Sequence, residues 1–72
     1  MTPYTRAWYE ALDLEYGLVV DIPDGVNPSS LKFYLYEARR RAADPRLFDL
    51  ELHIFEDGKS LILKRKQADA LP

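Results

Sequence analysis

The sequence contains no cysteine and a single histidine, His53. Without cysteine, the chain has no disulfide and no thiolate for catalysis or metal binding. A zinc site would have to combine His53 with carboxylates alone, which is rare for structural zinc. No serine stands at a signature spacing from His53, so the pattern does not indicate a nucleophile with its base. We therefore predict no catalytic residue, no metal site and no cofactor, and we do not expect an enzyme.

Long apolar runs and an excess of positive charge are also missing. No apolar stretch approaches ~18 residues, and no basic start followed by an apolar stretch suggests a signal peptide. We therefore expect a soluble, cytoplasmic protein without a membrane partner. The net charge is −2 and the sequence pI is about 5.2, whereas dedicated duplex binders are usually basic. A length of 72 residues fits one domain.

The longest helical pattern runs from Pro28 to Ala43 and reads PSSLKFYLYEARRRAA. Asn27 is a good N-cap, and Pro28 suits the first helical position because its missing N–H costs nothing there. Asp44 precedes a proline, which disfavours helical angles and predicts the end of the helix. The apolar residues at helical spacing predict a core stripe of Leu31, Leu35, Ala38 and Ala42, with Tyr34 beside it.

Two aromatic residues fall on the opposite face of this helix, which carries Phe33, Tyr36, Glu37 and Arg40. An aromatic side chain on a face that is expected to meet water needs an explanation. Either the N-terminal segment folds over this face, or a partner protein binds there, since Tyr, Phe and Arg are enriched among interface anchors.

The segments around this helix predict a short N-terminal helix and three strands. Residues 1–14 have helical spacing, and Trp8 and Tyr9, being neighbours, cannot both pack inward. Residues 15–22 are predicted to form a strand, with Tyr16, Leu18, Val20 and Ile22 on one of its two faces. Apolar and polar residues alternate over nearly ten positions in residues 47–56, which predicts a strand. Asp57-Gly58 predicts a two-residue type I′ turn, and residues 60–66 are predicted to form the strand that pairs with the first across this turn.

The hairpin register follows from this turn. It pairs Ile54 with Leu61, Leu52 with Leu63, and the opposite charges Glu56 with Lys59, Glu51 with Lys64 and Asp49 with Lys66.

We predict a two-layer α+β fold: a short N-terminal helix (1–14), a β-α-β-β core (15–66) with one main helix on a three-stranded sheet, and a frayed tail (67–72). The first strand can lie beside the returning strand, antiparallel, or beside the second strand, parallel; the first arrangement is preferred.

The stretch from Leu35 to Lys66 resembles small phage-encoded βαββ proteins of unknown function. The shared pattern is Leu-Tyr-x-Ala-Arg, a linker, a Phe-x-x-Leu strand, and a turn before an apolar strand that ends in lysine. The matching positions are Leu35, Tyr36, Ala38, Arg39, Phe48, Glu51 (where the pattern has leucine) and Lys64 or Lys66. The resemblance implies a phage or prophage origin and location in the host cytoplasm, and it carries no activity over.

Three functional hypotheses remain open. The first is a protein-interaction module, a phage accessory factor that inhibits or modulates a host complex such as an RNA polymerase, a defence system or a regulator. Its candidate contacts are Trp8, Tyr9, Phe33, Tyr36 and Arg40. The alternative is a nucleic-acid binder that uses Arg39, Arg40, Arg41, Lys64 and Lys66. The third is a subunit that self-assembles through a sheet edge or an exposed patch of Phe55 and Ile62, so monomer and homodimer are both allowed.

Overall fold

Two helices and three strands make up most of residues 1–66, the part of the chain that the computed structural model describes. Their order is α1 (Pro3–Asp13), β1 (Leu18–Asp21), α2 (Pro28–Ala42), a 3-10 helix (Pro45–Asp49), β2 (Leu50–Ile54) and β3 (Ser60–Arg65). This order confirms the predicted α+β fold class. The predicted frayed tail, residues 67–72, lies outside the described residues.

Side-chain caps and prolines define where both helices begin. The Thr2 hydroxyl accepts a hydrogen bond from the Thr5 N–H at 3.2 Å, and the Asn27 side chain accepts one from the Ser29 N–H at 2.8 Å. A proline follows each cap at the first helical position, where its fixed φ suits the helix. At the other end of α2, Ala43 adopts a left-handed conformation (φ 52°), and the chain leaves the helix there.

The three strands form one antiparallel sheet in the order β1-β3-β2. The first strand therefore lies beside the returning strand, as in the preferred arrangement. The hairpin register is also as predicted: Ile54 faces Leu61 and Leu52 faces Leu63 across β2 and β3. Because side chains alternate between the two faces of a strand, this register places the leucines together in the core.

The turn within the hairpin differs from the prediction. Phe55 donates a hydrogen bond from its N–H to the Ser60 carbonyl at 3.0 Å, so four residues, 56–59, connect the strands instead of two. Gly58 alone has positive φ in this loop (69°), whereas a type I′ turn needs two such residues. Asp57 instead accepts the Lys59 N–H at 2.9 Å through its side chain. The loop is longer by one residue on each side, so the register is unchanged.

Two predicted strands are shorter than expected. The strand predicted from residue 47 begins at Leu50, because Asp44 caps a 3-10 helix that starts at Pro45. Leu47 is buried in that helix, but Phe48, which the alternation predicts in the same row as Leu50 and Leu52, is exposed. The strand predicted over residues 15–22 is reduced to four residues, and Tyr16, predicted on the same face as Leu18, lies outside the strand and is exposed.

The core lies between the sheet and the two helices. The sequence predicts α2 as the main helix on the sheet, but α1 makes the closer contacts: it lies against all three strands and also packs against α2. The Trp8 side chain of α1 is fully buried, and its indole N–H donates to the Leu35 carbonyl of α2 at 2.7 Å. The remaining buried core residues are Ala11, Ile22, Leu31, Leu35, Leu47, Leu50, Leu52, Leu61 and Leu63.

Gly17, just before β1, is the glycine on which the sheet depends most closely. It has φ 96°, and a Cβ at this position would lie 2.6 Å from the Leu63 carbonyl oxygen. We expect Gly17→Ala to lower the free energy of unfolding by roughly 2–4 kcal/mol, because left-handed strain adds to a clash with backbone. Urea denaturation followed by Trp8 fluorescence measures this loss.

Gly25 is the matched control for this substitution. Its φ is 84°, but no atom outside its immediate chain neighbours lies within 4 Å of the position that a Cβ would take. Gly25→Ala therefore introduces strain without a clash, and we expect a loss of about 1–2 kcal/mol. Equal losses for the two variants would show that close packing against β3 is not what requires Gly17.

Candidate functional site

An exposed aromatic cluster lies where the start of α1 meets α2. The rings of Tyr4 and Tyr34 are stacked, with centroids 5.8 Å apart and an angle of 28° between their planes. Phe33 meets Tyr34 edge to face at 5.9 Å and 68°. The exposed fractions are 37% for Tyr4, 59% for Phe33 and 50% for Tyr34. Three aromatic rings therefore contact one another and still face solvent.

The cluster borders a groove of about 610 Å³ between the two helices. Ala38 and Ala42 follow Tyr34 at four-residue steps along α2, and their small side chains leave room beside the rings. Glu37 and Arg41 lie along the same groove. We call this feature the aromatic groove and define it by the three aromatic residues, the two alanines, Glu37 and Arg41. Its volume is in the range of ordinary ligand sites.

Charges at the rim of the aromatic groove are paired unequally. Arg40 donates to both carboxylate oxygens of Glu37, at 2.7 and 3.3 Å, while the Arg41 Nε lies 3.7 Å from the same carboxylate. The hydrogen bonds from Arg40 hold the pKa of Glu37 below its ordinary value, and those bonds raise the pKa of Arg40. Glu37 is therefore ionised and occupied by Arg40 at neutral pH.

Two of the predicted partner contacts are used inside the molecule. Trp8 has 0% exposure, so the prediction of Trp8 as a partner contact is wrong for this conformation. Tyr36 stacks on Trp8 with centroids 6.2 Å apart and packs against the core. The first explanation offered for the outer face of α2 therefore holds in part: the N-terminal helix packs on Tyr36 and leaves Phe33 exposed.

Arg39, a predicted phosphate contact, also turns inward. Its guanidinium lies over three rings, 5.0 Å from the centroid of Trp8, 4.8 Å from Tyr36 and 4.6 Å from Phe48. Nη1 donates to the Leu50 carbonyl at 3.1 Å, and the buried Nε has no hydrogen-bond partner within residues 1–66. This arrangement ties α2 to α1, the 3-10 helix and β2, so Arg39 serves the fold.

The other predicted basic contacts do not share one surface. Arg40 is hydrogen-bonded to Glu37 and Arg41 lies 3.7 Å from the same carboxylate, whereas Lys64 faces Glu51 across the strands of the sheet. Lys66 follows β3, and its N–H donates to the Asp49 carbonyl at 2.9 Å. A stripe that follows a phosphate backbone needs adjacent cations, and these five residues do not provide one.

Tyr4 and Tyr34 are the site residues that the sequence does not reveal. The helical spacing predicts Tyr34 beside the core stripe, whereas it is half exposed and stacks on Tyr4. The sequence gives no signal for this exposure, because the helical spacing with Phe33 on the outer face leaves Tyr34 free to pack inward. No sequence signal pairs Tyr4 with Tyr34, because they lie on different helices.

Tyr9 takes part in a polar cluster at the end of α2. Its hydroxyl donates to Asp44 Oδ2 at 2.9 Å, and Arg46 donates to the same oxygen at 2.7 Å. Hydrogen bonds from Arg46, and then from Tyr9, hold the pKa of Asp44 well below its usual range. The hydrogen bond to Asp44 raises the pKa of Tyr9 above its ordinary value.

The second apolar surface is the sheet face opposite the helices. Val19 and His53 flank Ile62 in one row across the three strands, and Phe55 follows directly after β2. Val19, His53 and Phe55 are exposed, and His53 Nε2 lies 3.0 Å from Glu51.

Within residues 1–66, no three His, Asp or Glu side chains lie close enough to hold a metal, and no helix is long and apolar enough to cross a membrane.

Comparisons of the chain with protein family models, with curated proteins and with solved structures gave no match. The geometry of the exposed surfaces is therefore the basis for the functional proposal.

Arg39 should matter for stability far more than its neighbour Arg40. We expect Arg39→Ala to lower the free energy of unfolding by roughly 2–3 kcal/mol, because it removes the ring contacts and a charged hydrogen bond. Arg39→Lys should recover only part of this loss, since a point charge cannot replace the planar group. Arg40→Ala, in contrast, should leave the urea midpoint almost unchanged. The opposite ranking would mean that Arg39 faces solvent.

Tyr9 should ionise at higher pH than an ordinary tyrosine. Its folded pKa is raised, so the hydrogen bond to Asp44 stabilises the fold below the unfolded pKa, and this contribution is lost as pH rises through the folded pKa. Alkaline titration by tyrosinate absorbance measures it, with Tyr9→Phe to identify the transition. Asp44→Asn should shift this transition toward lower pH. A Tyr9 transition that does not respond to Asp44→Asn would contradict the assigned cause.

Proposed function

We propose that this protein is a small protein-interaction module whose aromatic groove receives an apolar side chain of another protein. The observation that carries the proposal is the exposure of three packed rings, Tyr4, Phe33 and Tyr34, on a domain that fully buries its single tryptophan. Binding energy at protein interfaces is concentrated in a few anchors, and aromatic residues and arginine are enriched among them.

Preorganisation supports the same proposal. Tyr34 is held between Tyr4 and Phe33, so the rings are already ordered before a partner arrives. Ordering a flexible side chain at an interface costs about 0.5–1.5 kcal/mol, and rings that are held by one another avoid much of that cost. The groove beside them gives a partner side chain a concave surface to enter.

The proposed contact set differs from the one predicted from the sequence. Phe33 and Arg40 remain, since both are exposed and lie in or beside the aromatic groove. Tyr4 and Tyr34 replace the covered pair, Trp8 and Tyr36. Tyr9 does not line the groove.

A narrower hypothesis is that the partner belongs to a bacterial host, and that the protein acts as a phage accessory factor. Its support is the resemblance of residues 35–66 to small phage-encoded proteins. The test compares the proteins that are captured from a bacterial lysate by the wild-type chain and by the double variant Phe33→Ser with Tyr34→Ser. A host complex that the wild type retains and the variant loses would support this hypothesis.

The groove itself can be tested without knowing the partner. We expect selection from a library of random peptides of about 12 residues, on the immobilised full chain, to yield binders that need the groove. The double variant Phe33→Ser with Tyr34→Ser should weaken the selected peptides at least tenfold, which corresponds to about 1.4 kcal/mol. Fluorescence anisotropy measures the affinity.

The matched control removes an exposed ring from the other apolar surface. Phe55 is similarly exposed just after β2, so Phe55→Ser changes surface hydrophobicity without touching the aromatic groove. Circular dichroism should show that both variants are folded. Peptides that bind the groove variant with the same affinity as the wild type would contradict the proposal. Peptides whose affinity falls in Phe55→Ser would also contradict it.

A further inference from the structure

We propose that the partner presents an acidic apolar segment: an aromatic or aliphatic side chain enters the aromatic groove, and an Asp or Glu of the same segment pairs with Arg41. This inference rests on the proposed function, since it names the partner's chemistry at the same site. It is carried by the charges along the groove and by the geometry of their pairing.

Two arginine side chains, Arg40 and Arg41, lie at the rim of the groove beside one carboxylate side chain, Glu37. Arg40 binds Glu37 through two hydrogen bonds, from Nη2 at 2.7 Å and from Nε at 3.3 Å. A carboxylate that is held in this way by one guanidinium is already neutralised. The second guanidinium, that of Arg41, is therefore the surplus charge at the rim.

Arg41 is available for a new contact. Its side chain is 79% exposed, and within residues 1–66 its guanidinium donates no hydrogen bond short enough to occupy it, since the Glu37 carboxylate is 3.7 Å away. The planar guanidinium matches a carboxylate in a two-bond geometry. Because Arg41 lines the same groove as Phe33 and Tyr34, a carboxylate beside an apolar anchor satisfies both features at once.

The remaining charges favour a single carboxylate over a nucleic acid. Bases can stack on exposed rings, but the backbone of a nucleic acid brings one negative charge per nucleotide and calls for several adjacent cations. The chain has a net charge of −2, and Lys64 and Lys66 lie on and after β3, outside the groove. A basic segment, in turn, would meet the surplus positive charge of Arg41.

The test is a double-mutant cycle on a selected peptide. The probes are one groove-binding peptide from the random library and its twin with each acidic residue changed to Gln. The proteins are the wild type, Arg41→Gln, Phe33→Ser, and Lys66→Gln, which removes an exposed positive charge away from the groove. Anisotropy is measured at about 0.15 M salt, where distant charges are screened.

We expect the acidic peptide to bind wild type about tenfold more tightly than its neutral twin, which corresponds to roughly 1.4 kcal/mol. Against Arg41→Gln this preference should fall to about twofold or less, while Lys66→Gln should keep it. Loss of the preference in Arg41→Gln alone identifies the pair.

The failures of the two proposals are distinguishable. Peptides that need Phe33 but bind Arg41→Gln as well as wild type overturn the acidic partner and leave the interaction module standing. A selection without any peptide that is sensitive to Phe33→Ser overturns the module itself. A labelled oligothymidine that competes with the peptide for the groove would also overturn the acidic partner, in favour of single-stranded nucleic acid.

Discussion

The burial of Trp8 between the two helices and the sheet is the contact on which the rest of the structure depends. The indole is fully enclosed, its N–H is bonded to the Leu35 carbonyl, and the Arg39 guanidinium lies over its ring. A chain of this size has a stability of only about 4–10 kcal/mol. Truncating a buried tryptophan typically costs about 3–5 kcal/mol, so this one side chain accounts for a large share of the total.

The same contact explains why one part of the helix interface is exposed. Tyr4 and Trp8 lie one turn apart on α1, and each stacks on a tyrosine of α2, Tyr34 and Tyr36 respectively. The Arg39 guanidinium lies over the rings of Trp8 and Tyr36. Within residues 1–66, no arginine packs on Tyr4 and Tyr34 in this way, and both rings are exposed. The interface between the helices thus continues outward as the aromatic groove.

Much of the fold could be predicted from the sequence because its signals are local. Apolar and polar residues alternate within residues 47–56 and within residues 60–66, and this pattern sets the hairpin register. The caps Thr2 and Asn27 determine where the two helices begin. The errors arise where a distant neighbour decides. Periodicity places Tyr36 on the outer face of α2, but Trp8 packs on it, and the sequence alone does not show which residue of α1 will lie there.

The candidate site is predictable only in part, for a related reason. Phe33 stands out because an aromatic residue on an outer helix face is conspicuous, and it is exposed in the structure. Arg39 is misassigned from the sequence because three consecutive arginines look alike there, although they point in different directions and only this one reaches the rings of the core. Charge and residue type identify candidates, while packing decides which of them remain at the surface.

The loop at residues 56–59 has a consequence for how this hairpin tolerates change. Four residues replace the expected two, yet Ile54 still faces Leu61. The pairing of apolar residues along β2 and β3, and not the connection between these strands, therefore holds the register. Hairpin loops of about two to five residues all occur in proteins, so this loop can gain or lose a residue while the leucines stay on the inner face of the sheet.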